Sequence, residues 1–483
     1  SLVTTAANTI TINGNGATLV SNNQDASQRA AVAFYGTDYV TINNLIIDAS
    51  TGAYNWGIHF TQQADHNKIE NCTIISSKTV TASATASAIV FSASNTASTT
   101  QGNNGNYDTL INNTIIGGYY GIAMYGAAAT PLVGNVIANN ISQDAYAYNI
   151  LTVYNDGTII RDNDVSRPSR TNTTTFAGIY VNDVSTNIVV ERNKVHNVAD
   201  KITGTSAAYG IYFSGADATA SNANIVRNNI IYNMNGKGIV YGIYNSSSDY
   251  SLIYNNSIAI DDATYAGSSA TVGFYQTTAA EGIDFRNNVI SITRGGTGDK
   301  FGVNFNTATT TSAANLLTIN NNDYYVNGAG GGNFIGRVNP NTHTTLATWS
   351  AAVNGDGNST VENPYYANAI NGDLTPTNPL LDNLGTPIGS VTTDILNNPR
   401  SATTPDMGAY EFVAPLCPPP AQLAISNLTA SSVTLNWSYV NNVAPTLGYQ
   451  YYYSTNSATP ATNVTPSGSG STGTTANLSG LSG

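Results

Sequence analysis

Two short phrases of apolar and polar residues recur in register along most of this chain. The first alternates around a glycine: YGIAMYG at 120–126, AGIYVND at 177–183, YGIYFSG at 209–215, YGIYNSS at 241–247 and VGFYQTT at 272–278. The second wraps an aliphatic pair around asparagines: INNTII at 111–116, VERNKV at 190–195, VRNNII at 226–231, IYNNSI at 253–258, FRNNVI at 285–290 and INNNDY at 319–324. Period-two alternation makes these segments strands and excludes leucine-rich or helical repeats. Two phrases kept in step mean one structural unit stacked many times.

Aligning the second phrase gives a column: Asn44, Cys72, Asn113, Asn135, Asn163, Asn193, Asn229, Asn256, Asn288 and Asn322. Its steps vary from 22 residues (Asn113 to Asn135) to 41 (Cys72 to Asn113), as loops of unequal length on one face produce. A coil of about 22–30 residues with two or three strands is one turn of a parallel β-helix, each strand pairing with its equivalents ~4.8 Å above and below. About eleven such coils span roughly 50 Å. The asparagines fit a corner, since Asn tolerates left-handed backbone and its amide can bond the next Asn. The spacing therefore predicts a structural ladder through Asn113, Asn163, Asn193, Asn229, Asn256 and Asn288. The first segment, TITINGNGATLVSN at 9–22, reads as a strand pair turning at NGNG.

Alternation assigns faces. The column Ile58, Ile122, Ile179, Ile211, Ile243, Phe274 and Val303 is expected to point inward. The next residue then points out, placing His59, Tyr180, Tyr212, Tyr244 and Tyr275 in a surface row, with the preceding glycines outward as well. The four tyrosines are the candidate glycan-binding residues, because rings at one-coil intervals suit sugar faces. The competing reading is that they stack on one another and stabilise the sheet.

This pattern resembles the right-handed parallel β-helix of secreted bacterial proteins with the pectate-lyase-like architecture. The segment at 363–389 followed by NNPRSATTPDMGAYEF at 397–412 is similar to the closing module of bacterial surface β-helix proteins, matched by Asp394, Arg400, Asp406, Gly408, Ala409 and Glu411. That resemblance implies a cap on the last coil without a catalytic role. Residues 423–483 resemble the A, B, C and E strands of a fibronectin type III domain, with Trp437 in its core and Leu478 and Leu481 leading to the E–F corner. The expected organisation is a β-helix over 1–327, its last coils and closing module over 328–413, a Pro-rich linker over 414–422 and an incomplete β-sandwich over 423–483. The missing strands imply further domains of the same chain beyond residue 483. The order of modules resembles surface proteins of Bacteroidota exported by the type IX system, which implies an extracellular or outer-membrane-associated location.

Composition narrows the partners. Only 9% of residues are charged, against roughly a quarter in ordinary domains. Net charge is −12, and no basic stripe exists to neutralise a phosphate backbone, so nucleic acid is not an expected partner. No apolar run approaches the ~20 residues that span a bilayer, so membrane insertion is not expected. Thirty tyrosines against eleven phenylalanines favour rings that meet water or polar ligands, and glycans or other cell-surface components are the expected partners. Cys72 and Cys417 read as unpaired thiols in separate domains, although Cys417 could pair with a cysteine beyond residue 483.

Catalytic signatures are sparse. Asp261–Asp262 is an acidic doublet after a strand, read as loop acids. The motifs carried by glycosidases of the resembled fold are missing. Arg167-Pro168-Ser169-Arg170 is similar to a lyase motif but with the wrong spacing, and reads as a turn with two exposed arginines. Asp183, Asp217 and Asp249 follow successive first phrases and read as turn residues rather than a cation site. His59, His66, His196 and His343 show no metal spacing, and neither cofactor nor metal is expected. The leading expectation is a non-catalytic shaft or adhesin. The alternative is a glycoside hydrolase or polysaccharide lyase.

Overall fold

The computed structural model describes residues 4–172, 174–307, 317–414, 420–439, 448–454, 465–471 and 473–481. The chain divides into two units, one of residues 1–363, 367–375 and 383–411, the other of 364–366, 376–382 and 412–483. Cys417 lies outside the described residues.

The first unit is a parallel β-solenoid of about eleven coils. Among the described residues its strands form three sheets of eleven, eleven and twelve strands. Each coil contributes one strand to each sheet, and the twelfth strand of the third, Asn341–His343, pairs antiparallel with Asn333–Val338. The coil at 189–214, for example, gives Val189–Glu191 to the first sheet, Lys194–His196 to the second and Ala208–Ser214 to the third. The second phrase spans the first two sheets and the tight corner between them, and the glycine phrase is the third. The opening segment is not a hairpin. Ile10–Asn13 pairs in parallel with Val40–Asn43 in the first sheet, and Thr18–Val20 pairs in parallel with Ile46–Asp48 in the second. Its NGNG turn is the corner of a coil, which the same residue types serve equally well.

The inward column is fully buried from Ile58 to Val303. Each side chain there is worth about 1.5–3 kcal/mol relative to exposure. The glycines before it do not face outward. Pairing runs Tyr209 with Tyr241 and Ile211 with Ile243, skipping Gly210 and Gly242. A Cβ on Gly210 would lie 2.9 Å from Ile231 Cγ2, and one on Gly242 2.8 Å from Ile258 Cγ2. The glycine is the point where the third sheet touches the second, and the break in alternation there puts Tyr209 on the same face as Tyr212.

The corner asparagines do two jobs in two adjacent columns. Left-handed backbone falls on Asn44, Asn71, Asn112, Asn139, Asp162, Arg192, Asn228, Asn255, Asn287 and Asn321. The following position carries the buried ladder: Asn113, Asn140, Asn163, Asn193, Asn229, Asn256, Asn288 and Asn322. Two members of the sequence column are thus displaced. Asn44 belongs to the left-handed column, with Leu45 in the ladder's place. Asn135 sits at a different corner, where its side-chain oxygen accepts from the Asp108 backbone N–H at 2.8 Å; Asn140 takes the ladder position. Cys72 also occupies the ladder, its Sγ 3.2 Å from the Glu70 carbonyl. Burial pushes its thiol up, so it stays protonated at neutral pH.

The last coil is closed by the helix Leu346–Val353 rather than by the tail motif. Trp349 stacks on Phe305 at 5.9 Å and donates from Nε1 to Asp356 at 2.7 Å. Asp356 also accepts from the Asn322 amide at 3.1 Å and the Tyr324 hydroxyl at 2.8 Å, ending the ladder. Residues 383–411 instead lie along the corner as a lateral strap. The left-handed asparagines hold its backbone: Asn321 donates to Leu384 O at 3.0 Å, Asn287 to Thr386 O at 2.8 Å, Asn255 to Asp406 O at 3.0 Å and Asn228 to Thr393 O at 2.8 Å. Buried Arg400 clamps it, donating to Gly408 O at 2.8 Å, Asn228 Oδ1 at 2.9 Å and Glu411 Oε2 at 3.2 Å. Gly408 is in left-handed backbone, where a Cβ would meet Ser257 Oγ at 2.7 Å. The tail motif is therefore a docking device for the corner.

In the second unit, Ala421–Ser426, Ser432–Ser438 and Thr475–Ser479 form one antiparallel sheet, and Tyr449–Tyr451 pairs with Gly468–Ser471 in another. Trp437 is buried against Tyr449, Ala476 and Leu435. This arrangement is consistent with part of a β-sandwich.

Candidate functional site

The third sheet presents a cluster of tyrosines on its outer side. Tyr180, Tyr212, Tyr244 and Tyr275 pair one above another, and Tyr209 and Tyr241 form a second column beside them. The second column is legible in sequence as the tyrosine before each glycine, a position that alternation alone assigns to the wrong face. All are half-buried except Tyr241, which is nearly covered.

Ring orientation limits what this strip can do. Tyr180 and Tyr212 lie face to face at 4.4 Å, as do Tyr209 and Tyr241 at 5.0 Å and Tyr209 and Tyr212 at 4.8 Å. Tyr244 breaks the stack, meeting Tyr212 at 4.8 Å with the planes 81° apart, then pairing with Tyr275 at 5.0 Å. Such pairs stabilise the sheet by about 0.5–1.5 kcal/mol each. The rings are thus not open platforms; what they turn outward is mainly edges and hydroxyls. Burial pushes the Tyr209 phenol up to about 12, with neighbouring phenols adding to it, and raises Tyr180, Tyr244 and Tyr275 too. These hydroxyls remain hydrogen-bond donors at any physiological pH.

Several sequence expectations change here. His59 is not part of the outer row's surface: it is 1% exposed, with Nε2 2.8 Å from the Ser92 carbonyl. Burial lowers its pKa, leaving it neutral at pH 7. Arg167 and Arg170 are buried, not exposed. Arg167 Nε donates to Ala145 O at 3.0 Å, and Arg170 Nη1 to Gly118 O at 2.9 Å and Asp144 O at 3.2 Å. Loop carbonyls solvate these guanidinia, which sequence spacing cannot reveal. His66 stacks between Tyr39 at 4.7 Å and Tyr107 at 5.0 Å. Asp249 accepts from the Glu281 backbone N–H at 2.7 Å, a turn role. Among the described residues no group of three or more His, Cys, Asp or Glu is placed to hold a metal ion.

Asp261 and Asp262 stand after the strand Ser257–Ile260 and are only partly exposed. Burial pushes the Asp261 carboxyl up, and the Asp262 charge adds to it. Asp262 also accepts from the Thr264 hydroxyl at 2.7 Å.

Residues 94–258 match the family described as "Right handed beta helix region". The solenoid is a right-handed parallel β-helix. Among solved structures, the complex of XylC with xylose aligns with 80% of this chain and 67% of its own at 12% identity, with a TM-score of 0.38. The Dettilon tailspike protein gp208 aligns with 89% of this chain and 70% of its own at 13% identity, with a TM-score of 0.35. No curated protein matches the chain.

Proposed function

We propose that this protein acts outside the cell as a rigid, non-catalytic shaft that binds glycans along its tyrosine strip, in attachment to a surface. The carrying observation is the repeat of Tyr180, Tyr212, Tyr244 and Tyr275 at one ring per coil, widened by Tyr209 and Tyr241. A polysaccharide laid along the solenoid axis meets a tyrosine at each of these four coils, the ring turning between Tyr212 and Tyr244, so weak contacts recur and add. The low charge of the chain favours an uncharged polymer over an ionic one. The test is a glycan array probed with the parent and with a Tyr212→Ala/Tyr244→Ala variant. Loss of the parent's hits supports the reading; retention of every hit assigns the strip to sheet stability alone.

Polysaccharide cleavage is the second reading, favoured by the Asp261–Asp262 pair. Burial raises the Asp261 carboxyl beside the Asp262 charge, the kind of environment that sets one carboxyl apart from its neighbour. Release of reducing or unsaturated sugar from pectin, alginate or host glycans, abolished by Asp262→Ala, would replace the shaft with an enzyme.

A further inference from the structure

Three consecutive loops connect the second sheet to the third: residues 197–207, 233–239 and 261–270. They line a cavity of about 570 Å³. That volume lies in the range of small-molecule sites, ~300–1,000 Å³. The loops lead directly into the strands bearing Tyr209, Tyr241 and Tyr275.

The cavity is built rather than incidental. Arg294 is fully buried behind it and ties the loops together, donating to Gly238 O at 3.1 Å and Thr271 Oγ1 at 3.1 Å, and to Gly236 O. Its guanidinium lies 3.6 Å from the centre of the Tyr265 ring, a strong cation–π geometry. The Tyr265 hydroxyl donates to Lys237 O at 3.1 Å and accepts from the Ser269 backbone N–H at 2.9 Å. Gly296 leaves room for that ring, since a Cβ there would approach Tyr265 Cδ1 to 2.6 Å. One aromatic wall is thereby fixed in place before any ligand arrives, which lowers the ordering cost of binding.

The remaining lining is polar. Asp200 uses Oδ2 to accept from Asn197 Nδ2 at 2.6 Å, while its Oδ1 is shielded from solvent and has no partner in the protein. Shielded in this way, Oδ1 is not offered to a ligand, and Asp200 contributes charge to the lining rather than a contact. Asp262, Lys237, Ser268 and Ser269 complete a polar lining around Tyr265. Asp200 and Asp262 are matched by Lys237 and by Arg294 behind the wall, so the site has no excess positive charge to offset the desolvation of an acidic sugar.

We propose that this cavity is a discrete binding site for one or two units of an uncharged saccharide, separate from the tyrosine strip. The proposal rests on the reading that the chain binds glycans. It places a specific contact at one point of an otherwise repetitive surface.

The experiment is ligand-observed NMR and calorimetric titration of the full chain with glucose, galactose, mannose and cellobiose, with galacturonate as the acidic counterpart. The expected result is millimolar or tighter binding of at least one neutral sugar, with galacturonate weaker by about tenfold or more. Ser268→Trp, which fills the cavity, and Asp262→Asn, which keeps its shape, should each weaken that binding by about tenfold, with the melting temperature of each variant checked alongside. The Tyr212→Ala/Tyr244→Ala variant should bind these small sugars as the parent does. The site is overturned if no neutral sugar binds, if galacturonate binds equally well, or if both cavity variants bind unchanged. Array binding lost only in the tyrosine variant, with no cavity binding, overturns the cavity and leaves the strip. Array binding lost only in Ser268→Trp overturns the strip and leaves the cavity.

Discussion

The side-chain amide of Asn193 donates to the side-chain oxygen of Asn229, one coil further on, at 3.0 Å. The same amide donates to Ile160 O at 2.9 Å, and the Asn193 oxygen accepts from both the backbone N–H and the amide of Asn163, at 3.0 and 2.9 Å. Every hydrogen-bonding atom of this buried side chain is used. Asn193→Ala leaves two donors and a carbonyl without partners, each costing about 1–3 kcal/mol. The expected loss is roughly 3 kcal/mol, read as a lower denaturant midpoint and faster amide exchange at Asn163. An unchanged midpoint would remove the ladder from the list of stabilising features.

Asp108 interrupts the shorter amide row formed with Asn67 and Asn135. Its Oδ1 accepts from the Asn67 backbone N–H at 2.6 Å, but its buried Oδ2 has no partner. Burial drives the carboxyl well above its usual range, so the folded state keeps a proton that the unfolded chain releases near pH 3.9. Stability from this group is therefore fullest below that pH and falls as pH rises through the folded value. Asp108→Asn places a donor where Asn67 and Asn135 carry theirs, and should stabilise the protein by about 1–3 kcal/mol at neutral pH. The gain should shrink toward pH 4. Equal melting temperatures for parent and variant at pH 7 would contradict this.

His196 stacks on Tyr232 at 4.7 Å with Nε2 2.9 Å from Asp164. Burial pulls the imidazole pKa down, but bonds to Asp164 and Asn197 outweigh it, and the net shift is upward. A raised folded value means the stabilisation is complete below the unfolded pKa of about 6.5 and is lost as pH climbs through the folded one. Titration of the His196 ring by NMR should give a midpoint above 6.5, and Asp164→Asn should lower it. A midpoint at or below the free value in the parent would refute the pairing.

Arg400 ties Asp406 and Gly408 of the strap to the corner at Asn228. Arg400→Met removes those donors while keeping much of the apolar stem. Faster hydrogen exchange and proteolysis confined to 383–411, with the coil core unchanged, is the expected pattern. Uniform protection in the variant would show that the left-handed asparagines hold the strap unaided.

The coil repeat and the inward column were legible because period-two alternation and the one-coil step are both written in residue type. What escaped were features that depend on a single-residue offset or on distant chain. Asn44 and Leu45 differ by one position, yet one takes the left-handed turn and the other the ladder. The glycine bulge reversed the facing of Gly210 and Tyr209. Arg167 and Arg170 look like surface residues until the carbonyls of 118 and 144–145 surround them. The cavity was invisible for a related reason: Asp200, Lys237 and Tyr265 come from three loops of unequal length, the last two tied together by Arg294 on yet another coil. Unequal spacing at one corner was the signal, but it pointed to the loops without saying which side chains they would gather.

The lateral strap has a mechanical corollary. Because the chain returns along the corner, Ala409 bonds Ser257 in an interior coil rather than the terminal one, and Glu411 is held by Arg400 just beyond it. Tension entering the solenoid at Glu411 would reach the bonds at Asn228, Asn255 and Ser257 before it reached the final coil.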